Sequence, residues 1–164
     1  MTPTHAGALQ ITRESLGFLE QAISDLPQEA LEWKPLPSAN SATVLVVHAV
    51  TSTRFFLRAG SGYEVSLPDY RANERREAFQ AAGVPKDQLL AMVRDFSAEA
   101  EEILGAGTED HLAASVELVS NDAMPVAVRN GAGTLMAAIG HLREHVGHVQ
   151  LMHDLWLAGQ STGK

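Results

Sequence analysis

Three histidines near the end of the chain are spaced so that, on a helix, they share one face. His141, His145 and His148 stand at positions i, i+4 and i+7. A buried imidazole needs a partner for its polar nitrogens, and a metal ion bound through neutral nitrogen suits two imidazoles one turn apart. On the same predicted helix, apolar residues recur at alternating spacings of three and four positions: Leu135, Ala138, Leu142, Val149, Met152 and Trp156. His145 occupies the position in this row, between Leu142 and Val149, where a hydrophobic residue is expected.

A third metal ligand must come from another helix, and His48 is the candidate because it lies on the apolar face of the second predicted helix. Three protein ligands would leave coordination positions for water or substrate, as in catalytic zinc sites. Two alternatives stay open. His48 alone also fits a hydrogen-bonded core histidine, and the pair His141 and His145 could arise by chance.

Other candidate residues have more than one interpretation. His148 could replace His141 as a ligand, form a hydrogen bond to a group that itself binds the metal, or line the pocket. Arg54, a turn and a half beyond His48, could meet an anionic group at the pocket mouth or form a surface ion pair. The histidines outside this group, and the acidic neighbour of His145, are predicted at the surface: His5, His111, His153 and Glu144.

Composition limits the class of protein. The chain has 164 residues, which fits one domain spanning 1–164, and a formal net charge of -8. Nucleic acid and anionic membrane surfaces are disfavoured as partners because both require a basic face. The absence of cysteine excludes disulfides and thiolate ligands, so any metal must be held by His, Asp, Glu or water. With no signal-peptide pattern and no membrane-spanning apolar stretch, we expect a cytoplasmic protein.

Apolar periodicity predicts four long helices. They span residues 4–26, 40 or 41 to 58, 85–105 and 134–158. Asn40 or Ser41 is the predicted cap of the second helix and Thr134 of the fourth. The inward face of the second helix is predicted to carry Val44, Val47, His48, Thr51 and Phe55. The expected fold is all-α, an antiparallel four-helix bundle.

The connections between the long helices contain shorter predicted elements. Glu74 to Ala82 is predicted as a short helix between the second and third long ones. Val116–Val119 and Val126–Val128 are rich in β-branched residues and predict a short β-hairpin between the third and fourth helices, with Ser120, Asn121 and Asp122 in its connection.

These residues together resemble the DinB/YfiT-like superfamily of metalloenzymes. The resemblance rests on a lead-in and two histidine motifs: Trp33-Lys34-Pro35-x-Pro37-Ser38-x-Asn40-Ser41, the single His48, and His141-x-x-x-His145-x-Gly147-His148. It covers essentially the whole chain and implies an up-down-down-up bundle, a divalent metal such as zinc or nickel on His48, His141 and His145, and frequent homodimers. His148 stands where the family often has glutamine.

The functional expectation combines the residues with this resemblance. Relatives in the family use low-molecular-weight thiols such as bacillithiol or mycothiol, which implies a metal-dependent transferase acting on a small-molecule substrate. A metal site would lower the pKa of such a thiol, or of water. The alternative is a non-catalytic helical bundle that binds a metal or a small ligand.

Overall fold

Four long helices form the framework of the protein. The computed structural model describes residues 1–119 and 125–161. The long helices are α1 (Pro3–Ser24), α3 (Ala42–Gly60), α6 (Lys86–Gly105) and α8 (Gly131–Ser161). Shorter elements join them: α2 (Gln28–Glu32), α4 (Leu67–Ala72), α5 (Glu74–Phe79), α7 (Glu109–Ala113), β1 (Ser115–Val119) and β2 (Pro125–Asn130).

Ion pairs along α1 give the direction of α6. Arg13 pairs with Glu101 and Arg94 with Glu20, each at 2.6 Å. Residue numbers therefore rise along α1 while they fall along α6, and the two helices are antiparallel. Both helices bury an apolar stripe against the bundle core, which stabilises their packing.

Contacts of α8 complete the topology. Arg143 pairs with Glu14, whereas residues near 150 lie beside Ala22, so α8 runs parallel to α1. Gly60 lies against Leu135 while His48 faces His145, so α3 runs antiparallel to α8. The bundle is therefore up-down-down-up, and this part of the expected fold is confirmed.

Helix α3 forms through its β-branched run because most of its surface is buried against neighbouring helices. Ser41 caps it by accepting a hydrogen bond from the Val44 amide, as predicted. The predicted inward face is wrong in part. Val47 and Thr51 are half-exposed, while Val46 and Val50, each one position earlier, are fully buried.

Helix α8 begins earlier than predicted. Its first turn is capped by Asn130, whose Oδ1 accepts a hydrogen bond from the Gly133 amide at 2.8 Å. The predicted cap Thr134 is wrong, since its hydroxyl donates to the Asn130 carbonyl from inside the first turn. The tight start is possible because Gly131 packs against the carbonyl oxygens of His111 and Gly60, where a Cβ would clash.

The predicted hairpin is present. Strands β1 and β2 are antiparallel, with Ser115 opposite Asn130 and an irregularity after Leu118. The connection predicted at residues 120–122 lies outside the described residues. Leu118 belongs to a second apolar cluster that joins the hairpin to α3 and α4, together with Phe55, Ala59, Leu67 and Tyr70. This cluster fixes the hairpin beside the end of the bundle where the histidines lie.

Within residues 1–119 and 125–161, no helix combines the length and the apolar character that a transmembrane span requires. The cytoplasmic location stays a prediction.

Candidate metal centre

Antiparallel packing of α3 on α8 brings three imidazoles together. The ring centroid of His48 lies 5.1 Å from that of His141 and 5.0 Å from that of His145. The centroids of His141 and His145, one turn apart on α8, are 4.4 Å from each other. His48 is buried and the other two are half-buried. The structure thus assembles the three residues that the sequence singled out.

The nitrogen atoms fit a shared cation. One nitrogen from each ring lies within 4.8 Å of the other two. The Nε2 atoms of His141 and His145 are 3.1 Å apart. Two nitrogens that bind one zinc ion tetrahedrally, each at about 2.0–2.1 Å, are separated by about 3.3–3.4 Å. Small movements of the rings would therefore allow both to bind a single ion.

The three rings also lack the hydrogen bonds that buried imidazoles require. In the described part of the chain, the Nδ1 atoms of His48, His141 and His145 are buried and have no hydrogen-bond partner. The Nε2 atoms of His141 and His145 are in contact with each other instead. An ion bound at those atoms would take up their lone pairs and would leave each Nδ1 as an N–H donor for an outer acceptor.

Burial keeps the cluster in the neutral form that binds metal. Desolvation, followed by repulsion from His141 and Arg75, lowers the pKa of His48 to about 4. Desolvation and the neighbouring histidines lower the pKa of His145 to about 3. Burial also lowers the pKa of His141, although Glu144 opposes this effect. At neutral pH all three rings therefore present lone pairs rather than positive charge.

A cavity of about 310 Å³ opens beside His48 and His141. Ser52 and Phe56 of α3 form one side, and α4, α5 and the hairpin form the rest: Leu67, Tyr70, Arg71, Arg75, Leu118 and Arg129. Phe79 of α5 stacks on the His48 ring at 4.6 Å, and the guanidinium of Arg75 lies over Phe79 at 4.7 Å. The histidine cluster therefore borders a pocket of small-molecule size.

Comparison with known protein families identifies the family of this chain. The profile of the family described as mycothiol-S-transferase matches residues 6–155. The chain belongs to the mycothiol-S-transferase family. No curated protein sequence matches this family member significantly.

Similar solved structures share the fold of this DinB-like protein. The DinB-like protein YjoA of Bacillus subtilis aligns with a TM-score of 0.67 and 17% identity, covering 92% of each chain. YfiT of Bacillus subtilis, described as a probable metal-dependent hydrolase with an unusual four-helix bundle topology, aligns with a TM-score of 0.70 and 14% identity over 95% of this chain and 90% of YfiT. A mycothiol-dependent maleylpyruvate isomerase aligns with a TM-score of 0.61 and 15% identity over 89% of this chain and 62% of the isomerase.

His148 and Arg54 lie at the margin of the cluster rather than in its centre. The His148 ring is 5.6 Å from that of His145, but the residue is exposed, so its expected place on the inward face is wrong. Arg54 donates to Glu99 at 2.7 Å and stacks over Phe96. It lines a neighbouring cavity of about 370 Å³, not the pocket beside His48.

Three histidines predicted at the surface are more buried than expected. His5 is fully buried at the start of α1, where its Nδ1 hydrogen-bonds the Thr2 hydroxyl at 2.8 Å. Its ring packs against Gly107, which has no side chain to obstruct it. His111 is half-buried with its ring against Gly62, and His153 is half-buried and contacts Asp154. Glu144 is exposed, as predicted.

Sequence reasoning missed the arginines of the pocket. Arg71 and Arg75 lie in a polar stretch without clear periodicity, and Arg129 lies on a hairpin strand. Their four-residue spacing gave no signal, because Arg71 and Arg75 lie on separate helices, α4 and α5. Nothing in the sequence pattern linked them to Arg129.

Proposed function

We propose that this protein is a metal-dependent transferase that uses a low-molecular-weight thiol, with the divalent ion held by His48, His141 and His145. The observation that carries the proposal is the convergence of these imidazoles from α3 and α8 beside a pocket. A bound zinc or nickel ion would lower the pKa of a thiol or of water and so supply a nucleophile at neutral pH.

The chain's own residues would hold and shield the reaction. The neutral imidazoles provide ligands without adding positive charge. The apolar side chains Phe56, Leu67 and Leu118 form part of the pocket wall and limit the access of water to the reacting groups. Because α4, α5 and the hairpin form this wall, they would determine which small molecules enter.

An exogenous thiol is consistent with the composition and the family. The chain has no cysteine, so the sulfur nucleophile must come from outside the protein. The match to mycothiol-S-transferases and the fold shared with a mycothiol-dependent isomerase favour mycothiol over other thiols. In the proposed reaction the thiol gives up its proton to solvent, its sulfur bonds to an electrophilic carbon of the substrate, and the bond from that carbon to the leaving group breaks, so that the group departs as an anion.

Two other functions remain as rivals. YfiT, with the same fold, is described as a probable metal-dependent hydrolase, which favours water as the alternative nucleophile. The other rival is a non-catalytic bundle that binds a metal or a small ligand. A structural metal site is closed by a fourth protein ligand. Within the described residues the cluster comprises three histidines and adjoins a pocket, which favours an open site.

We also propose that the protein is a homodimer. Leu151 and Leu155, one turn apart on α8, are 56% and 42% exposed, and Phe18 of the adjacent helix is 44% exposed. Exposed apolar side chains on neighbouring helices support an interface between two copies. Light scattering at micromolar concentration tests it, and a monomer mass contradicts the dimer.

The proposed transferase activity can be tested with mycothiol and an electrophile such as monochlorobimane. We expect conjugate formation, followed by mass spectrometry, from zinc- or nickel-loaded protein and not after chelation. His145→Ala should abolish the activity, whereas His153→Ala on the same helix should retain it. Substrate hydrolysis without mycothiol would favour the hydrolase, and turnover by chelated protein would contradict metal dependence.

A further inference from the structure

The pocket beside the histidines is basic in an acidic protein. The chain has 20 acidic and 12 basic residues, yet no carboxylate of residues 1–119 or 125–161 lines this pocket. Three arginines do so, from separate elements: Arg71 of α4, Arg75 of α5 and Arg129 of β2. All three arginines are exposed, so water screens the repulsion between their charges, but together they give the pocket a positive potential. This potential would attract an anionic ligand.

Several arginines outside the pocket are paired with carboxylates. On the flanks of the bundle, Arg13, Arg94 and Arg143 each pair with a glutamate of an adjacent helix. Among the described residues, the pocket arginines have no carboxylate oxygen within 4.0 Å, and the Arg75 guanidinium lies over the face of Phe79. The pocket arginines therefore keep their planar donor groups available for a carboxylate or phosphate.

A buried hydroxyl supplies an independent observation. Tyr70 lines the pocket and is 5% exposed, and within the described chain its hydroxyl makes no hydrogen bond of 3.5 Å or less. The hydroxyls of Ser52 and Thr51 lie near it and make only weaker, poorly aligned contacts, which partly offset the rise in the pKa of Tyr70 that burial causes. An unsatisfied buried donor is unfavourable unless a ligand accepts from it.

We propose that this pocket binds a carboxylate, held by the guanidinium groups of Arg71, Arg75 and Arg129 and by the Tyr70 hydroxyl. The walls contributed by Phe56, Leu67 and Leu118 would contact an apolar body. The ligand class is therefore a small organic acid with an apolar portion. Its assignment as the substrate that reacts beside the histidines rests on the proposed function, whereas anion binding itself rests only on the pocket.

Binding of a simple dicarboxylate tests the anion site directly. Succinate and its neutral analogue succinamide are titrated into the full chain, both metal-free and zinc-loaded, by calorimetry and by two-dimensional NMR of the labelled protein. We expect saturable succinate binding in both forms, with shifts at pocket residues, and no saturable binding of succinamide. Binding by zinc-loaded protein alone would mean that the metal, not the arginines, holds the carboxylate, and would overturn the proposal.

Variants distinguish binding by the pocket arginines from nonspecific attraction to positive charge. Arg75→Gln and Arg129→Gln should each weaken succinate binding about 10-fold or more, the range for hydrogen bonds to charged groups. Arg76→Gln is the matched control, because Arg76 lies next to Arg75 on α5 but does not line the pocket. Equal weakening by all three variants would show nonspecific attraction and overturn the proposal. Thermal unfolding of each variant confirms that the fold is kept.

A kinetic comparison tests whether the carboxylate that the pocket binds belongs to the substrate. With mycothiol as thiol, 4-(bromomethyl)benzoate should react with a higher kcat/KM than its methyl ester, and Arg129→Gln should remove this preference. A loss of affinity for mycothiol instead, without loss of the preference, would place Arg129 against the thiol, which carries no carboxylate, and would contradict the substrate assignment. If zinc binding fails while succinate binding persists, the proposed function is wrong and the anion site stands.

Discussion

The Nε2 atoms of His141 and His145 face each other at 3.1 Å across one turn of α8. His48 approaches the pair from α3, whereas His148 remains exposed beside His145. This arrangement assigns different roles to the three histidines of α8. The two that face each other can share an ion with His48, and the third can only approach it from the solvent side.

Substitution with glutamine should separate these roles. His141→Gln should lower zinc affinity by orders of magnitude, because it removes one of the three converging nitrogens. His148→Gln introduces the residue that is common in the family. Its zinc affinity should change by about 10–100-fold at most, the range for residues that hydrogen-bond a metal ligand rather than bind the metal. Titration calorimetry with zinc compares the two variants. Loss of zinc by His148→Gln with retention by His141→Gln would reverse the ligand assignment.

Metal-free protein should lose stability as the pH falls below about 6.5. Burial lowers the pKa of His48 to about 4 and that of His145 to about 3, so the unfolded chain takes up protons first. Above about pH 6.5 both states are neutral at these sites, and between about pH 6.5 and 4 each histidine can reduce the free energy of unfolding by up to about 1.4 kcal/mol per pH unit.

Urea denaturation of metal-free protein at about pH 7 and about pH 5 measures this dependence. His145→Leu places a hydrophobe where the α8 pattern calls for one, and should make the pH dependence shallower. His5, whose pKa burial also lowers, contributes in both proteins and serves as a constant background. An unchanged slope in His145→Leu would show that His145 is not held neutral by the fold.

Tyr70→Phe should raise stability while weakening anion binding. The change removes a buried hydroxyl without a partner and keeps the ring stacked on Phe55 at 4.4 Å. We expect a gain of about 1 kcal/mol in the free energy of unfolding, within the range for unsatisfied buried groups. Thermal denaturation tests this expectation. A comparable loss of stability would show that the hydroxyl has a structural partner.

Gly107→Ala should destabilise the start of α1. An added Cβ would lie 2.0 Å from the His5 Nε2 atom, and the buried ring has little room to move. The expected loss is about 1–3 kcal/mol, typical of overpacking. Gly17→Ala is the control, because no heavy atom lies within 4 Å of its added Cβ. That change should stabilise mid-helix α1 by about 0.5–1 kcal/mol, and equal effects of the two variants would contradict the packing described for His5.

The sequence predicted the four long helices because the periodic spacing of apolar residues is a local signal. The apolar row on α8 and the single His48 on α3 indicated, together with the family resemblance, which imidazoles could lie together, since helix spacing fixes which residues share a face. The structure brings these three rings together. The inward face of α3 was predicted less well. That helix packs against neighbours on several sides, so its burial is broader than one stripe, and Val46 and Val50 are buried while Val47 and Thr51 are not.

The pocket could not be predicted in the same way, because it depends on contacts between distant segments. Arg75 and Arg129 line the same pocket because the cluster around Leu118 and Tyr70 fixes the hairpin against α4. The burial of His5 depends similarly on the absence of a side chain at Gly107, far along the chain. Such packing depends on the tertiary fold and leaves no periodic signal in the sequence.

Metal content of the purified protein tests the central claim most directly. Protein prepared without a nickel column, incubated with zinc and desalted, is analysed for metal by mass spectrometry alongside His145→Ala and His153→Ala. The proposed site predicts about one zinc ion per chain in the unsubstituted protein and in His153→Ala, and almost none in His145→Ala. Full occupancy in His145→Ala, or no bound metal in any of the three, would contradict a metal centre on His48, His141 and His145.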